Sequence, residues 1–383
     1  MRTAKILCMI IVAGLIALAA AGCGQSAETV NAGTKTPAQI SAQTSAPKGT
    51  ETTPKQVNTI AGITQEDAGI KIRVDMPEIK EFLAQSKQGP IIPALKQNFI
   101  PQGMAYLEEK KWILISHYRE DGKSNLLSVV DAENGQMVKA LELYLSESEP
   151  YTGHAGGVTI SNKYIWISSE SKVYYFLKDD LIKADQAGKI VFKGFIQTPN
   201  RASFNAFADG VLWVGEFAQG ASYPTDKSHY MTNRDGKEHK AWAVGYKLDA
   251  STDLPDAMKS QSTGPVVPDM IISLPDSVQA MYMNKDSIWL SQSYGRNSTS
   301  ELTRYKLNLS EMPHTKVKLG SSEIPVWFLD NKNKVKKLEI APMSEGIFEL
   351  NGQIYILFES GATKYKTSSS YALDRIHSLP WRE

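Results

Sequence analysis

From about residue 98 onward, hydrophobic and polar positions alternate in short runs broken by turns. Five stretches share one layout. "QGMAYLEEKKWILISHY" begins at Gln102, "GGVTISNKYIWISSE" at Gly156, "SFNAFADGVLWVGEF" at Ser203, "QAMYMNKDSIWLSQS" at Gln279 and "EGIFELNGQIYILFES" at Glu345. Each opens on a polar or small residue, runs through a strand-like piece and turns on Asn, Asp, Gly, Lys or Glu. Each then rises into a second alternating run whose second or third residue is Leu114, Trp166, Trp213, Trp289 or Tyr355. Alternating β-branched and aromatic residues on both sides of a tight turn predict a hairpin. Five hairpins spaced 47 to 76 residues apart form an internal repeat.

A third strand candidate follows most hairpins, in "NLLSVVDA", "KVYYFL", "AWAVGYKLD" and "LTRYKLNL". A fourth follows in "VKALELYL", "IVFKGFIQ", "DMIISLP" and "KVKKLEIAP". Four antiparallel strands repeated about an axis make a β-propeller, so the expected fold is all-β, a propeller of five four-stranded blades. A β-sandwich is the alternative, but it does not require its hairpins to repeat one internal pattern. Upstream, "GIKIRV" alternates and is expected to supply an outer strand closing the ring between first and last blades. "MPEIKEFLAQSK" has Pro near its start and Ile79, Phe82 and Leu83 on one side, which predicts a short amphipathic N-terminal helix. The carboxyl-terminal "YALDRIHSLPWRE" is expected to complete the last blade.

The amino end carries no such pattern. Arg2 and Lys5 precede an unbroken apolar or small run from Ile6 to Gly22, ending at Cys23. A basic region, a short apolar core and small residues before a break describe an export signal, and the run is marginal for a spanning helix of ~20 residues. The ending "LAAAGC" resembles the lipobox of bacterial lipoproteins, with Ala20 departing slightly from the commonest form. That resemblance implies cleavage before Cys23 and lipidation of its thiol, with the protein anchored at the extracytoplasmic face of the cell membrane. The other cysteine, Cys8, would leave with the signal, so the mature chain would hold no internal disulfide.

Residues 23–58 are dominated by Ser, Thr, Ala, Gln and Pro, and no aromatic residue occurs between Cys23 and Phe82. Such a composition cannot bury enough apolar surface to offset its ordering entropy, so a disordered tether is expected. Its reach would be roughly 30–36 Å. The expected organisation is a signal over 1–22, a tether over 23–58, a strand and helix packing on the propeller over 59–97, and the propeller over 98–383. Loss of the signal removes two basic residues and leaves 40 basic against 41 acidic. Near-neutral charge gives no electrostatic footprint for nucleic acid.

The stretches "IPQGMAY … WILIS", "HAGGVTIS … YIWISS" and "FESGATKY" resemble the YncE, NHL and quinoprotein-type propeller group, and more closely propeller lipoproteins of Gram-positive bacteria. The likeness covers about residues 95 to 383, and its motifs specify architecture rather than activity. Five-bladed propeller glycosidases use three carboxylates on inner strands. Here the opening positions are Gln102, Gly156, Ser203, Gln279 and Glu345, with a single acid, so that pattern is not matched.

Propeller geometry locates a candidate site nonetheless. Loops entering and leaving each inner hairpin crowd one mouth of the central channel. Those entering carry Gln102, His154, Arg201, Gln279 and Glu345; those leaving carry His117, Glu170, Glu216, Gln292, Tyr294, Arg296 and Glu359. A converging polar ring suits a small-molecule, glycan or protein ligand. Glycines around His154 allow close backbone approach to the axis. The imidazole is either a satisfied structural group or a base. Glu345 and Glu359 are either acids of raised pKa or bonding partners for nearby backbone N–H groups. The stretch after Glu216 is the largest departure from regularity and carries Tyr223, His229, Tyr230, Arg234, His239 and Trp242. It reads as a functional loop or as a plain hairpin extension. His229 and His239, with Asp235 and Glu238 between them, match no standard zinc or calcium spacing, so no metal and no cofactor are expected.

G-x-S-x-G, H-E-x-x-H, P-loop, G-x-G-x-x-G and EF-hand patterns are all missing. An architectural signature without a catalytic one makes a membrane-anchored ligand- or partner-binding module the expected function. The alternative is a cell-surface hydrolase or lyase acting on glycan or envelope material, with His154, Glu345 and Glu359 as its acid–base residues.

Overall fold

The computed structural model describes residues 57–256 and 264–381; Cys23, the signal and nearly all of the tether lie outside these. All five hairpins form and pair antiparallel. They are Ile100–Leu107 with Trp112–Tyr118, Val158–Ile160 with Tyr164–Ser169, Phe204–Ala208 with Val211–Gly215, Val278–Asn284 with Ser287–Gln292, and Ser344–Leu350 with Gln353–Phe358. Two of the turns are Asp209-Gly210, at φ 49° and 77°, and Asn351-Gly352, at φ 53° and 73°. Two successive left-handed residues give the turn whose twist matches paired strands, and Asn-Gly and Asp-Gly reach it at least cost.

Each hairpin grows outward into a blade. Blade 1 adds Leu126–Asp131 and Met137–Tyr144, and blade 2 adds Lys172–Leu177 and Gly194–Gln197. Blade 3 adds Ala241–Lys247 and Met270–Leu274, and blade 4 adds Ser300–Lys306 and Lys334–Ile340. Blade 5 adds Arg375–Pro380 and, beyond it, Lys87–Ile91.

The uniform four-strand count does not hold. Blade 1 has five strands and blade 3 has six, because each takes strands from the blade after it in sequence. Ala187–Val191 leaves blade 2 between its third and fourth strands and lies parallel on Met137–Tyr144. "IVFKGFIQ" is therefore split between two sheets. Likewise Thr315–Leu319 and Ser322–Phe328 leave blade 4 as a hairpin whose second strand lies parallel on Met270–Leu274. These donations cover outer edges that would otherwise offer unpaired backbone groups.

The closing strand is also not "GIKIRV". Residues 69–74 form no strand, and Arg73 and Val74 donate their backbone N–H groups to the Ser370 carbonyl. Lys87–Ile91 takes the outer place in blade 5. Alternation made "GIKIRV" attractive, but Ile72 and Val74 are exposed, so no buried face rewards it there. Between them a 3-10 turn, Pro77–Ile79, leads into a helix, Lys80–Gln85, with Ile79 and Phe82 buried. Phe82 packs on Phe358 and His377, at 5.9 and 5.4 Å between ring centres. Among the described residues no helix is long and apolar enough to cross a membrane.

The repeat has a physical meaning once the faces are assigned. Ile165 and Ile167 turn toward blade 1, and Trp166 turns toward blade 3. Ile288 and Leu290 turn toward blade 3, and Trp289 toward blade 5. Leu114 faces blade 2, Trp213 faces blade 4 and Tyr355 faces blade 1. Thus the marked residue of every hairpin packs on the next blade. A sheet with both faces apolar must be sandwiched, and five apolar clusters fill the five gaps between blades.

The inner strands neighbour one another in cyclic order, with Ser344–Leu350 returning to Ile100–Leu107. Their backbones come close because side chains are missing at the contacts. A Cβ on Gly346 would lie 2.5 Å from the Met104 nitrogen, and one on Gly103 would lie 2.3 Å from the Val158 nitrogen. One on Gly157 would lie 2.6 Å from the Phe204 Cα. Blades 5, 1, 2 and 3 are thus stitched at the axis by three glycines. Gly103→Ala or Gly157→Ala should lower stability by about 1–3 kcal/mol, as overpacking against an immovable backbone does. Gly264→Ala, where a Cβ meets nothing within 4 Å, should leave it unchanged. Urea-unfolding midpoints of the three variants check this.

Candidate ligand site at the propeller mouth

A cavity of about 550 Å³ opens where the inner hairpins begin and end, and all five blades line it. Nine of the twelve sequence-predicted positions come together in it: Gln102, His154, Glu170, Arg201, Gln279, Tyr294, Arg296, Glu345 and Glu359. Ser203, the opening position of blade 3, joins them. Gln102, Ser203, Gln279 and Glu345 are opening positions of inner strands, and the bends there turn their side chains toward the axis.

His117 and Glu216 are corrections. His117 sits inside blade 1, its Nε2 2.8 Å from the Ser128 Oγ and its ring edge-on to Phe99. Full burial lowers its pKa to about 3, so it is neutral. Glu216 is buried beside His229, whose Nδ1 is 2.7 Å from its Oε1, and the Trp242 backbone N–H donates to the same oxygen at 3.0 Å. Gln292 also turns away, donating to the Asp276 carbonyl.

Strand register explains the misses. Pro101 pairs with His117, Val278 with Gln292 and Ser344 with Phe358, each just before the opening residue. The structural equivalents at the mouth are therefore Tyr118, Ser293 and Glu359, one position further on. Successive side chains in a strand point to opposite faces, so a one-residue misreading buries the wrong group. The bulges after Pro101, Val278 and Ser344 move this register, and nothing in the sequence marks them.

The floor of the cavity is a pair of carboxyls. Glu345 is 3% exposed and Glu359 9%. They share a hydrogen bond, and Gln102 Nε2 donates to Glu359 Oε2 at 3.1 Å. Burial pushes the Glu345 pKa well up, and the neighbouring Glu359 charge raises it further. Burial likewise pushes Glu359 up to about 8, against the opposing pull of Lys364 and the Gln102 amide. Two carboxyls in contact away from water cannot both ionise, so at neutral pH they hold a proton between them. The backbone just before this pair is strained. Met343 has φ 63°, in the left-handed region an unbranched non-glycine residue seldom adopts, and its carbonyl accepts the Glu359 N–H at 3.1 Å.

Aromatic rings build the walls. His154 stacks on Tyr118 at 4.0 Å, and crowding on that side lowers its pKa, although its outer edge is open to solvent. Tyr118 and Tyr365 meet through their hydroxyls at 3.3 Å. Arg296 lies over the Tyr365 ring at 4.9 Å and donates to Ser368 Oγ. Across the cavity, Phe217, Tyr223 and Tyr294 form an edge-to-face chain, with ring centres 5.2 and 6.3 Å apart.

Of the excursion after Glu216, only Phe217 and Tyr223 line the cavity. It folds as a 3-10 turn, Lys227–His229, and a small hairpin, Met231–Thr232 with Glu238–His239. His229 stacks on Trp242, His239 approaches Ser273 and Asn233, and Arg234 grips Asp330 with two bonds of 2.6 and 2.7 Å. These residues fasten blade 3 to the hairpin donated by blade 4. Among the described residues no three His, Cys, Asp or Glu are placed to hold a metal ion. Sequence reading missed Tyr118, Tyr365, Phe217 and Met343 as lining residues. Tyr118 adjoins His117 and would follow from correct register; Tyr365 lies in a loop whose course leaves no local signal.

No protein-family model matches the chain, and no curated protein does. Among solved structures, the GH43_1 enzyme from Xanthomonas citri complexed with xylose is 10% identical with a TM-score of 0.41, covering 79% of this chain and 92% of that one. The calcium-binding protein regucalcin from Agrobacterium tumefaciens is 11% identical with a TM-score of 0.36, covering 76% and 92%. BamB from Moraxella catarrhalis is 10% identical with a TM-score of 0.31, covering 85% and 96%. Likeness this distant leaves the ligand to be read from the cavity itself.

Proposed function

We propose that this chain is a ligand-binding module, held at the extracytoplasmic face of a membrane by lipid on Cys23, whose mouth takes a small hydroxylated molecule. The observation that carries this reading is the buried Glu345–Glu359 pair on the floor of a cavity that every blade lines. Its volume suits a small molecule. A carboxyl pair sharing one proton both donates and accepts, as a hydroxyl requires, and the Gln102 and Gln279 amides add the same two capacities. Tyrosine and phenylalanine rings supply apolar faces for a ring-shaped ligand.

The pair is also costly to keep. Raised carboxyl pKa values mean that the folded state holds protons the unfolded chain would release. The stability they confer is present below the ordinary glutamate value of 4.5 and is lost as pH rises through about 8. A group kept at the expense of stability beside a cavity fits a ligand role better than a structural one.

A second reading, hydrolysis or lyase chemistry by the same acids, draws on their raised pKa values. Its difficulty is geometric. Paired glycosidase carboxyls flank the scissile bond at ~5–9.5 Å, whereas these two are in hydrogen-bond contact, and His154 is committed to its stack with Tyr118.

Three outcomes follow. Cys23→Ala should abolish incorporation of labelled palmitate and move the protein from the membrane to the soluble fraction. Glu345→Gln should raise the melting temperature at pH 9 by about 3 °C, with little change at pH 5. Comparing variant with wild type at each pH cancels the opposite dependence of the buried histidines, whose lowered pKa values cost stability as pH falls. In a thermal-shift screen of monosaccharides and polyols, a stabilising ligand should lose its effect in Gln102→Ala and Glu359→Gln. Turnover of that ligand by the wild type would favour the hydrolase reading instead.

A further inference from the structure

We infer that the ligand of the mouth carries a carboxylate, making it a polyhydroxy acid such as a hexuronic or aldonic acid, with Arg201 as the residue that selects it. The inference rests on the mouth being the binding site and concerns what that site prefers. Arg201 enters blade 3 just ahead of Ser203 and lines the cavity, yet among the described residues its guanidinium has no ion pair and no hydrogen bond. Three other arginines are committed, and Arg73 and Arg375, which like Arg201 have no side-chain partner among the described residues, lie outside the mouth. Arg119 pairs with Asp121, Arg234 with Asp330, and Arg296 is held by Ser368 and the Tyr365 ring. Arg201 is exposed at the cavity, and a planar guanidinium without a partner offers two parallel donors, the geometry a carboxylate matches.

The placement of charges around the cavity agrees. Arg201 and Arg296 bring two cations. Glu170 brings one carboxylate, which is beyond ion-pair distance of Arg201 although its carbonyl accepts the Ala202 N–H. Lys364, behind Tyr118 and Tyr365, is matched by Glu120. The Glu345–Glu359 pair shares one proton and so keeps one negative charge, which Arg296 and Lys364 oppose. The charges of the mouth therefore balance in number, and Arg201 on the blade 3 side is the cation that no acid contacts, while hydroxyl-reading groups occupy the floor. A ligand with hydroxyls at one end and an anion at the other satisfies both.

Calorimetry on the full-length protein in detergent tests this with D-glucuronate, D-galacturonate and D-gluconate. Controls are the two uronate methyl esters, which keep the hydroxyls and lose the charge. At least one acid should bind tenfold or more tighter than its neutral counterpart. Arg201→Gln should erase that preference, so that acid and ester bind alike, and Arg201→Lys should restore part of it. Equal affinity for acid and ester, a preference surviving in Arg201→Gln, or no binding of any of the three acids would overturn the inference. If the esters bind and Glu359→Gln weakens them, the mouth stands as a site even where the acid preference fails. If acid and ester both bind and neither Glu359→Gln nor Gln102→Ala affects them, the site itself is misplaced and both readings fall.

Discussion

The approach of bare backbones at the axis is the constraint on which this molecule depends. Gly346 meets Met104, Gly103 meets Val158 and Gly157 meets Phe204 at distances that leave no room for a methyl group. Five blades close into a ring only if inner strands come that near, and packed interiors do not yield to extra volume. Polar groups reinforce the same contacts across blade boundaries. The Ser116 hydroxyl donates to the Gly156 carbonyl, the Asn205 amide donates to the Trp166 carbonyl, and Ser291 meets Ser344 at 2.7 Å. Further out, exchanged strands bind blade 2 to blade 1 and blade 4 to blade 3, and Lys87–Ile91 closes blade 5.

The mouth is a consequence of that closure. Where the inner strands begin, the chain bends and polar side chains from every blade are brought within reach of one small volume. Glu345 opens one strand of blade 5 and Glu359 follows the end of the next, just past the Ser344–Phe358 pairing, so the sheet brings them together. Burial then fixes their protonation, because solvent that would screen two charges is excluded. Aromatic residues from blades 1, 3, 4 and 5 supply walls that a polar floor alone would lack. A cavity built this way holds its hydrogen-bonding groups on rigid strands, with Arg201 lining it and without an ion pair among the described residues.

Local patterning fixed much of this in advance. Period-two alternation on either side of short polar turns placed every inner hairpin, and in blades 3 and 5 the Asp-Gly and Asn-Gly dipeptides admit few other conformations. Recurrence of one apolar or aromatic residue, from Leu114 to Tyr355, carried the architecture, because each repeat must bury that residue on its neighbour. Opening positions such as Gln102 and Glu345 were legible for the same reason: they precede a strand that has to run along the axis.

What the tertiary structure alone decided was register, partnership and exchange. Bulges after Pro101, Val278 and Ser344 shifted which residue faces the mouth, turning His117 inward and presenting Tyr118. Glu216 looked like a site residue and is instead sealed against His229 and Trp242, a contact made by a loop that returns from elsewhere. Ala187–Val191 and the hairpin Thr315–Phe328 left their own blades for neighbouring edges, and "GIKIRV" lost the closing place to Lys87–Ile91. Local sequence encodes which face of a strand is apolar. It does not encode which distant backbone will satisfy that strand's hydrogen bonds, because that choice is made by whichever edges remain open once the ring has closed.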